Sequence, residues 1–237
     1  MNSSIEELRN ELKNHADDQV KESSKRFFKE PIESYGIKAS VVKEISKIFF
    51  KKIEGLPKEE IFHLCEPLWQ SGILEESFVA CYWSYFIRKW YEPEDFKTFE
   101  RWINRYVTNW ASCDSLCTQT TGMFLEKFPQ EVNKVKPWAF SANRWMRRAS
   151  AVSLIAGVRK GKFIQEVFQI ADILLHDPED MVQKGYGWML KTTCKHYQQE
   201  VFEYVMRNKN TMPRTALRYA IEKMPKELRK QAMIKEK

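Results

Sequence analysis

Helix starts fall at Ser40, Leu74, Trp110, Asn143, Pro178 and Pro213, at successive separations of 34, 36, 33, 35 and 35 residues. A period near 35 residues is the length of two short helices with their turns. A second set of starts lies between the first, near Pro57, Pro93, Gln130, Phe163 and Gln199, and Ser3 and Ser4 open the chain in the same way. Each segment carries apolar residues three and four apart before a turn containing Pro, Gly, Asn or Asp. No helical hairpin of this length buries its apolar stripe alone, so neighbouring hairpins must stack. The expectation is an all-α chain of twelve to fourteen helices. It would form an α-α superhelix (solenoid) of antiparallel helix pairs, one helix of each pair outside and the other lining a concave face, as a single domain over residues 1–237.

The repeats share little beyond their spacing and lack the Trp, Gly, Tyr, Ala and Pro pattern of tetratricopeptides, which makes them HEAT-like. Composition agrees: 8 Gly and 9 Pro in 237 residues are too few for the frequent turns of an all-β fold. The first residues include acids and no apolar signal segment, and charges interrupt every apolar run short of the ~20 residues of a membrane span. Cys65, Cys81, Cys113, Cys117 and Cys194 are an odd set in a chain without an export signal, so reduced thiols are expected. The chain reads as a soluble cytoplasmic monomer of bacterial nucleoid-associated type, with no membrane partner.

Charge is unevenly spread. The formal charge is +7, and between Glu131 and Glu166 no acid interrupts Lys134, Lys136, Arg144, Arg147, Arg148, Arg159, Lys160 and Lys162. The stretch from Val182 to Gln199 repeats the bias with Lys184, Lys191 and Lys195. Cations without local acids repel one another unless a polyanion neutralises them, so two adjacent repeats are expected to form a basic nucleic-acid face. Solubilising surface charge is the bland alternative. Trp110, Trp138, Trp145 and Trp188 lie in or beside these repeats and suit contact with sugars and bases, although most tryptophans of an all-helical chain are core.

Trp110 and Asp114 are four residues apart, which puts an indole and a carboxylate on one helix face. A packed indole and an acid near a helix start would give the same spacing. Arg148 is followed by the small Ala149 and Ser150, which let its helix approach a neighbour closely. It would then pair with Asp114 across adjacent repeats or face a phosphate. His15, His63, His176 and His196 show no metal-ligand spacing, and no Gly-rich nucleotide loop is present, so neither a metal nor a nucleotide cofactor is expected. Cys113 and Cys117, four apart, read as core residues.

Four ordered blocks, Tyr35 to Lys47, Asn109 to Cys117, Asn143 to Leu154 and Gln183 to Lys191, together resemble the AlkD-like DNA alkylation repair glycosylases, which are built of HEAT-like repeats. The resemblance implies that the protein hydrolyses the N-glycosidic bond of cationic alkylated purines in duplex DNA, without a cofactor. It implies that Trp110 faces the lesion-bearing nucleotide, Asp114 is the essential carboxylate, Arg148 the active-site arginine and Trp188 a second aromatic along the backbone. Phe27 falls where similar members carry Tyr, and Asn109-Trp110-Ala111 replaces their Trp-Trp-Asp start. Lys38, Arg147, Arg159, Lys160, Lys184 and Lys191 complete the expected DNA contacts. A non-catalytic HEAT-like module that recognises damaged or branched DNA is the alternative, and a protein-binding scaffold would leave the acid-free interval unexplained.

Overall fold

The structure is a computed structural model that describes residues 2–234. Among these residues the chain is helical with no strand, and a lone bridge joins Glu33 to Ile73. It divides into two compact units, residues 1–120 and 121–237.

The first unit contains α1 (Asn2–Asn14), α2 (Asp18–Lys25), α3 (Ala39–Phe50), α4 (Lys58–Gln70), α5 (Leu74–Phe86), α6 (Phe96–Tyr106) and α7 (Trp110–Ser115). Helices α3, α5 and α7 pack in series, and α5 is buried nearly all round. Phe62, Tyr91, Phe99 and Trp102 form an aromatic core; Phe62 meets Trp102 edge-on at 5.5 Å. After α7 the helix widens into a π-helical segment, Leu116–Thr121.

The second unit contains α8 (Gly122–Lys127), α9 (Arg144–Val152), α10 (Ile155–Val158), α11 (Ile164–Leu174), α12 (Asp180–Thr193), α13 (Gln198–Asn208), α14 (Arg214–Ile221) and α15 (Lys226–Met233). Here α9, α12 and α14 pack in series. Gly187 sets the closest approach: a Cβ there would lie 2.9 Å from the Ala216 carbonyl oxygen.

The expected period survives in space. Helices α3, α5, α7, α9, α12 and α14 start at residues 39, 74, 110, 144, 180 and 214, at intervals of 35, 36, 34, 36 and 34. Polar cross-links recur at the same separation. Trp83 Nε1 donates to Ser46 O across 37 residues and Trp102 Nε1 to Glu66 across 36. In the second unit Lys136 reaches Gln169 across 33 residues and Tyr197 Oη reaches Gly161 O across 36.

The segment expected to start an α-helix at Gln130 is instead a 3₁₀ run, Pro129–Phe140. Pro137 inside it lacks an N–H and would clash with an α-helical turn. The buried Val132, Val135 and Trp138 recur every third residue, the period of a 3₁₀ helix.

Candidate functional site

In the first unit, Asn109 caps α7 by accepting the Ser112 amide at 2.9 Å. That places Trp110 at the first helical position and Asp114 one turn later, both half-buried. Since Asn109 does the capping, Asp114 is not needed for it. Thr118 Oγ1 donates to the Asp114 carbonyl at 2.7 Å where the π-helical segment begins. Such π-turns recur at functional sites.

Trp110 is held by a segment more than 80 residues away. Its Nε1 donates to the Phe27 carbonyl at 3.1 Å, and the Phe28 ring stacks on the indole at 5.5 Å and 22°. The Phe27 ring is 60% exposed, with the Arg26 guanidinium 4.9 Å from its centroid.

Two adjacent buried carboxylates of α5 fix the chain just after these rings. Glu75, 2% exposed, accepts from Ser34 Oγ at 2.8 Å and from the Tyr35, Gly36 and Ile37 amides at 2.9 Å. Glu76 accepts from Tyr35 Oη at 2.6 Å and from the Arg9 guanidinium at 3.1 Å. Burial, together with the bond to Glu76, pushes the Tyr35 hydroxyl pKa up. Gly36 has φ +83, and a Cβ there would lie 2.3 Å from the Asp17 carbonyl oxygen, so only glycine fits. Phe28, Glu75 and Glu76 are not among the expected site residues, although Phe27, the Leu74 helix start and the Tyr35 to Lys47 block lie beside them in sequence.

In the second unit Arg148 lies on α9, 5% exposed, with Nη1 donating to the Met181 carbonyl on α12. Ala149 and Ser150 are fully buried as their small size suggested, and α12 answers with Gly185, where a Cβ would sit 3.1 Å from Arg148 Cγ. Trp188 is half-buried on α12, whereas Trp138 and Trp145 are core. The structure thus separates the four tryptophans that spacing could not. Cys113 and Cys117 are fully buried.

The expectation that eight cations stand without acids needs correction. Arg147 binds Asp177 at 2.5 Å and also donates to the Ser141 and Ala142 carbonyls, so its guanidinium is engaged internally. Arg144 pairs with Glu179 at 3.3 Å, Lys160 with Glu126 at 2.5 Å, and Lys134 with Glu131. Lys184 pairs with Asp180 at 2.8 Å and Lys191 with Glu222 at 2.9 Å. For Arg144, Arg147, Lys160 and Lys191 the acid arrives from a neighbouring repeat, 30 to 35 residues away, whereas Glu131 and Asp180 lie three and four residues from their lysines. Exposed pairs of this kind contribute only ~0 to 1 kcal/mol, so a phosphate can still compete for the lysines. Lys38 and Arg159 are exposed with no acidic partner among the described residues.

Among the described residues no cluster of three His, Cys, Asp or Glu could hold a metal ion, and no helix is long and apolar enough to cross a membrane.

The model of the DNA alkylation repair enzyme family matches residues 8–224. A solved structure described as a predicted DNA alkylation repair enzyme from Enterococcus faecalis superposes with a TM-score of 0.80 at 18% identity, over 90% of this chain and 98% of that one. A crystal structure of a Streptococcus mutans UA159 protein gives 0.56 at 18% identity, over 81% and 96%. No curated protein matches the chain. The two structures share the fold; the family match assigns a DNA repair role. The chain belongs to the DNA alkylation repair enzyme family.

Proposed function

We propose that the protein is a monofunctional DNA N-glycosylase that releases cationic alkylated purines, such as 3-methyladenine and 7-methylguanine, from duplex DNA. The observation that carries this reading is the half-buried Trp110–Asp114 pair on α7, in a chain of this family.

A purine alkylated at N3 or N7 is already positive, so its bond to C1′ breaks with the electron pair leaving on the base and no general acid is required. Positive charge then develops on the sugar. The Asp114 carboxylate opposes that charge and orients the water whose oxygen adds to C1′, with the proton leaving to solvent. The Trp110 face adds a cation-π contact worth ~0.5 to 2 kcal/mol. Arg148, buried and bonded to the Met181 carbonyl, adds its positive charge to the field at the flanking phosphate without touching it; in this reading Trp188 follows the backbone, and Lys38 and Arg159 are the exposed cations best suited to further phosphates.

The test is release of 3-methyladenine and 7-methylguanine from methylated duplex DNA. Asp114→Asn keeps size and hydrogen bonding but removes the charge, so excision should fall ~100-fold or more while DNA affinity holds. Arg148→Ala should lower both. Equal release by wild type and Asp114→Asn, or none above the spontaneous background, would overturn the glycosylase reading; DNA binding without release would identify a non-catalytic DNA-binding module.

A further inference from the structure

Helix α15 buries only Ala232, so its sequence is not explained by core packing. Lys226, Arg229, Lys230 and Met233 lie at i, i+3, i+4 and i+7, which places them on one face. That face meets Arg218 and Ile221 of α14, and Glu222 just after it, across an open groove of about 390 Å³. Arg214 Nη2 donates to the Met233 carbonyl at 3.3 Å and fixes the far end of α15 against the start of α14. The groove's lining therefore has four cations and two apolar side chains, the buried Ile221 and the half-buried Met233. Its lone acid, Glu222, is already engaged by Lys191 at 2.9 Å and Lys223 at 3.2 Å.

This combination selects its ligand. Cations alone would suit any polyanion, including the outside of a duplex, but duplex phosphates have no use for an apolar lining residue such as Met233. A single strand offers both a phosphate and an unstacked base face. Arginine forks suit phosphate oxygens, and a thioether packs favourably on an aromatic ring.

We infer that the α14/α15 groove is a DNA subsite for a single-stranded segment, with a phosphate on Arg218, Lys226, Arg229 and Lys230 and a base face on Met233, backed by the buried Ile221. The inference rests on the reading that the protein acts on DNA. It adds a binding region outside the residues assigned to base release, and gives the C-terminal helix pair a role with frayed or gapped DNA.

The experiment is a fluorescence anisotropy titration of the full chain with a short 5′-labelled oligothymidylate at several salt concentrations. Lys226→Glu/Lys230→Glu should weaken binding at least ~10-fold and flatten the log-log salt dependence by about 0.7, the value for one phosphate no longer neutralised. Met233→Ser should weaken binding with the salt slope unchanged. The neutral pair Lys226→Gln/Lys230→Gln, with far-ultraviolet circular dichroism on every variant, covers misfolding of the charge reversal.

Unchanged affinity in both lysine pairs overturns the proposal. Equal weakening for a blunt duplex of the same length makes the groove a duplex-binding surface and also overturns it. So does competition by polyglutamate as effective as by unlabelled oligothymidylate, since the groove would then suit an acidic peptide. Purine release from a blunt methylated duplex should stay at the wild-type rate in the lysine variants. Because the titration needs no release, the subsite and the glycosylase reading fail independently.

Discussion

Replacing Gly187 by alanine puts a methyl group where the backbones of α12 and α14 nearly touch. Its Cβ would lie 2.7 Å from Tyr219 Cβ, 2.9 Å from the Ala216 carbonyl oxygen and 3.2 Å from Ala216 Cα. Two of these atoms are backbone and the third is fixed to it, so no rotamer change relieves the contact and the helices must separate. Overpacking of this kind costs ~1 to 3 kcal/mol, against which alanine recovers about 1 kcal/mol of helix propensity. The net expectation is a loss of about 1 kcal/mol, or roughly a 0.5 M lower urea midpoint at a slope of ~2 kcal/mol/M. Gly185→Ala, two residues earlier, meets only side chains: Arg148 Cγ at 3.1 Å, Arg148 Nη1 at 3.4 Å and Val152 Cγ2 at 3.6 Å. These can shift, so the propensity gain should hold stability at or above wild type, while displacement of Arg148 lowers purine release. Urea unfolding followed at 222 nm compares the pair. A Gly187→Ala protein as stable as wild type would refute backbone contact as the determinant of α12 to α14 spacing.

Glu75→Ala should leave the amides of Tyr35 and Ile37 without their acceptor at ~1 to 3 kcal/mol for each, and accelerate their hydrogen exchange at least ~10-fold, whereas the Gly36 amide keeps Ser34 Oγ. Unchanged protection would show that the loop is held by other contacts. Burial alone would raise the Glu66 carboxyl, but bonds from Arg101, Trp102 and Tyr106 outweigh it and hold the group below its usual 4.5. A carboxyl depressed on folding stabilises fully above its unfolded value, and that contribution is lost as pH falls through the folded one. Glu66→Gln should therefore flatten the loss of stability in this acidic window, and superimposable acid-unfolding curves would exclude the linkage. Arg159→Glu should weaken duplex binding and reduce the log-log salt slope by about 0.9, the value for one phosphate. An unaltered slope would remove Arg159 from the DNA face.

Helix starts were legible wherever local chemistry marks them. Asn109 and Asn143 cap α7 and α9 through their side chains, and Pro57 and Pro213 directly precede α4 and α14. Helices α2 and α15 escaped because they lack an apolar stripe: α2 buries no residue, and its visible signal is the Asp17 cap on the Gln19 and Val20 amides. Ion pairing escaped for a different reason. Reading charge along the chain finds partners three or four residues away, whereas Arg147 finds Asp177 and Lys160 finds Glu126 one repeat away. Trp110 and Asp114 were legible as a spacing, but the stacking of Phe28 on Trp110 was not, since it depends on a loop anchored by Glu75 some 40 residues further on.

The order in which the chain closes follows from the two lengths of its cross-links. Most bridges between repeats span 30 to 37 residues, so those hairpins dock by closing short loops and should form early. The N-terminal helices tie back over far longer stretches, 67 residues from Arg9 to Glu76 and 83 from Phe27 to Trp110. Doubling a loop adds only ~0.6 kcal/mol of closure entropy, so the effect lies more in timing than in depth of stability. The Phe28 ring that stacks on Trp110 should arrive last during folding and detach first when the native state breathes, exposing that face of the indole without unfolding the repeats beneath it.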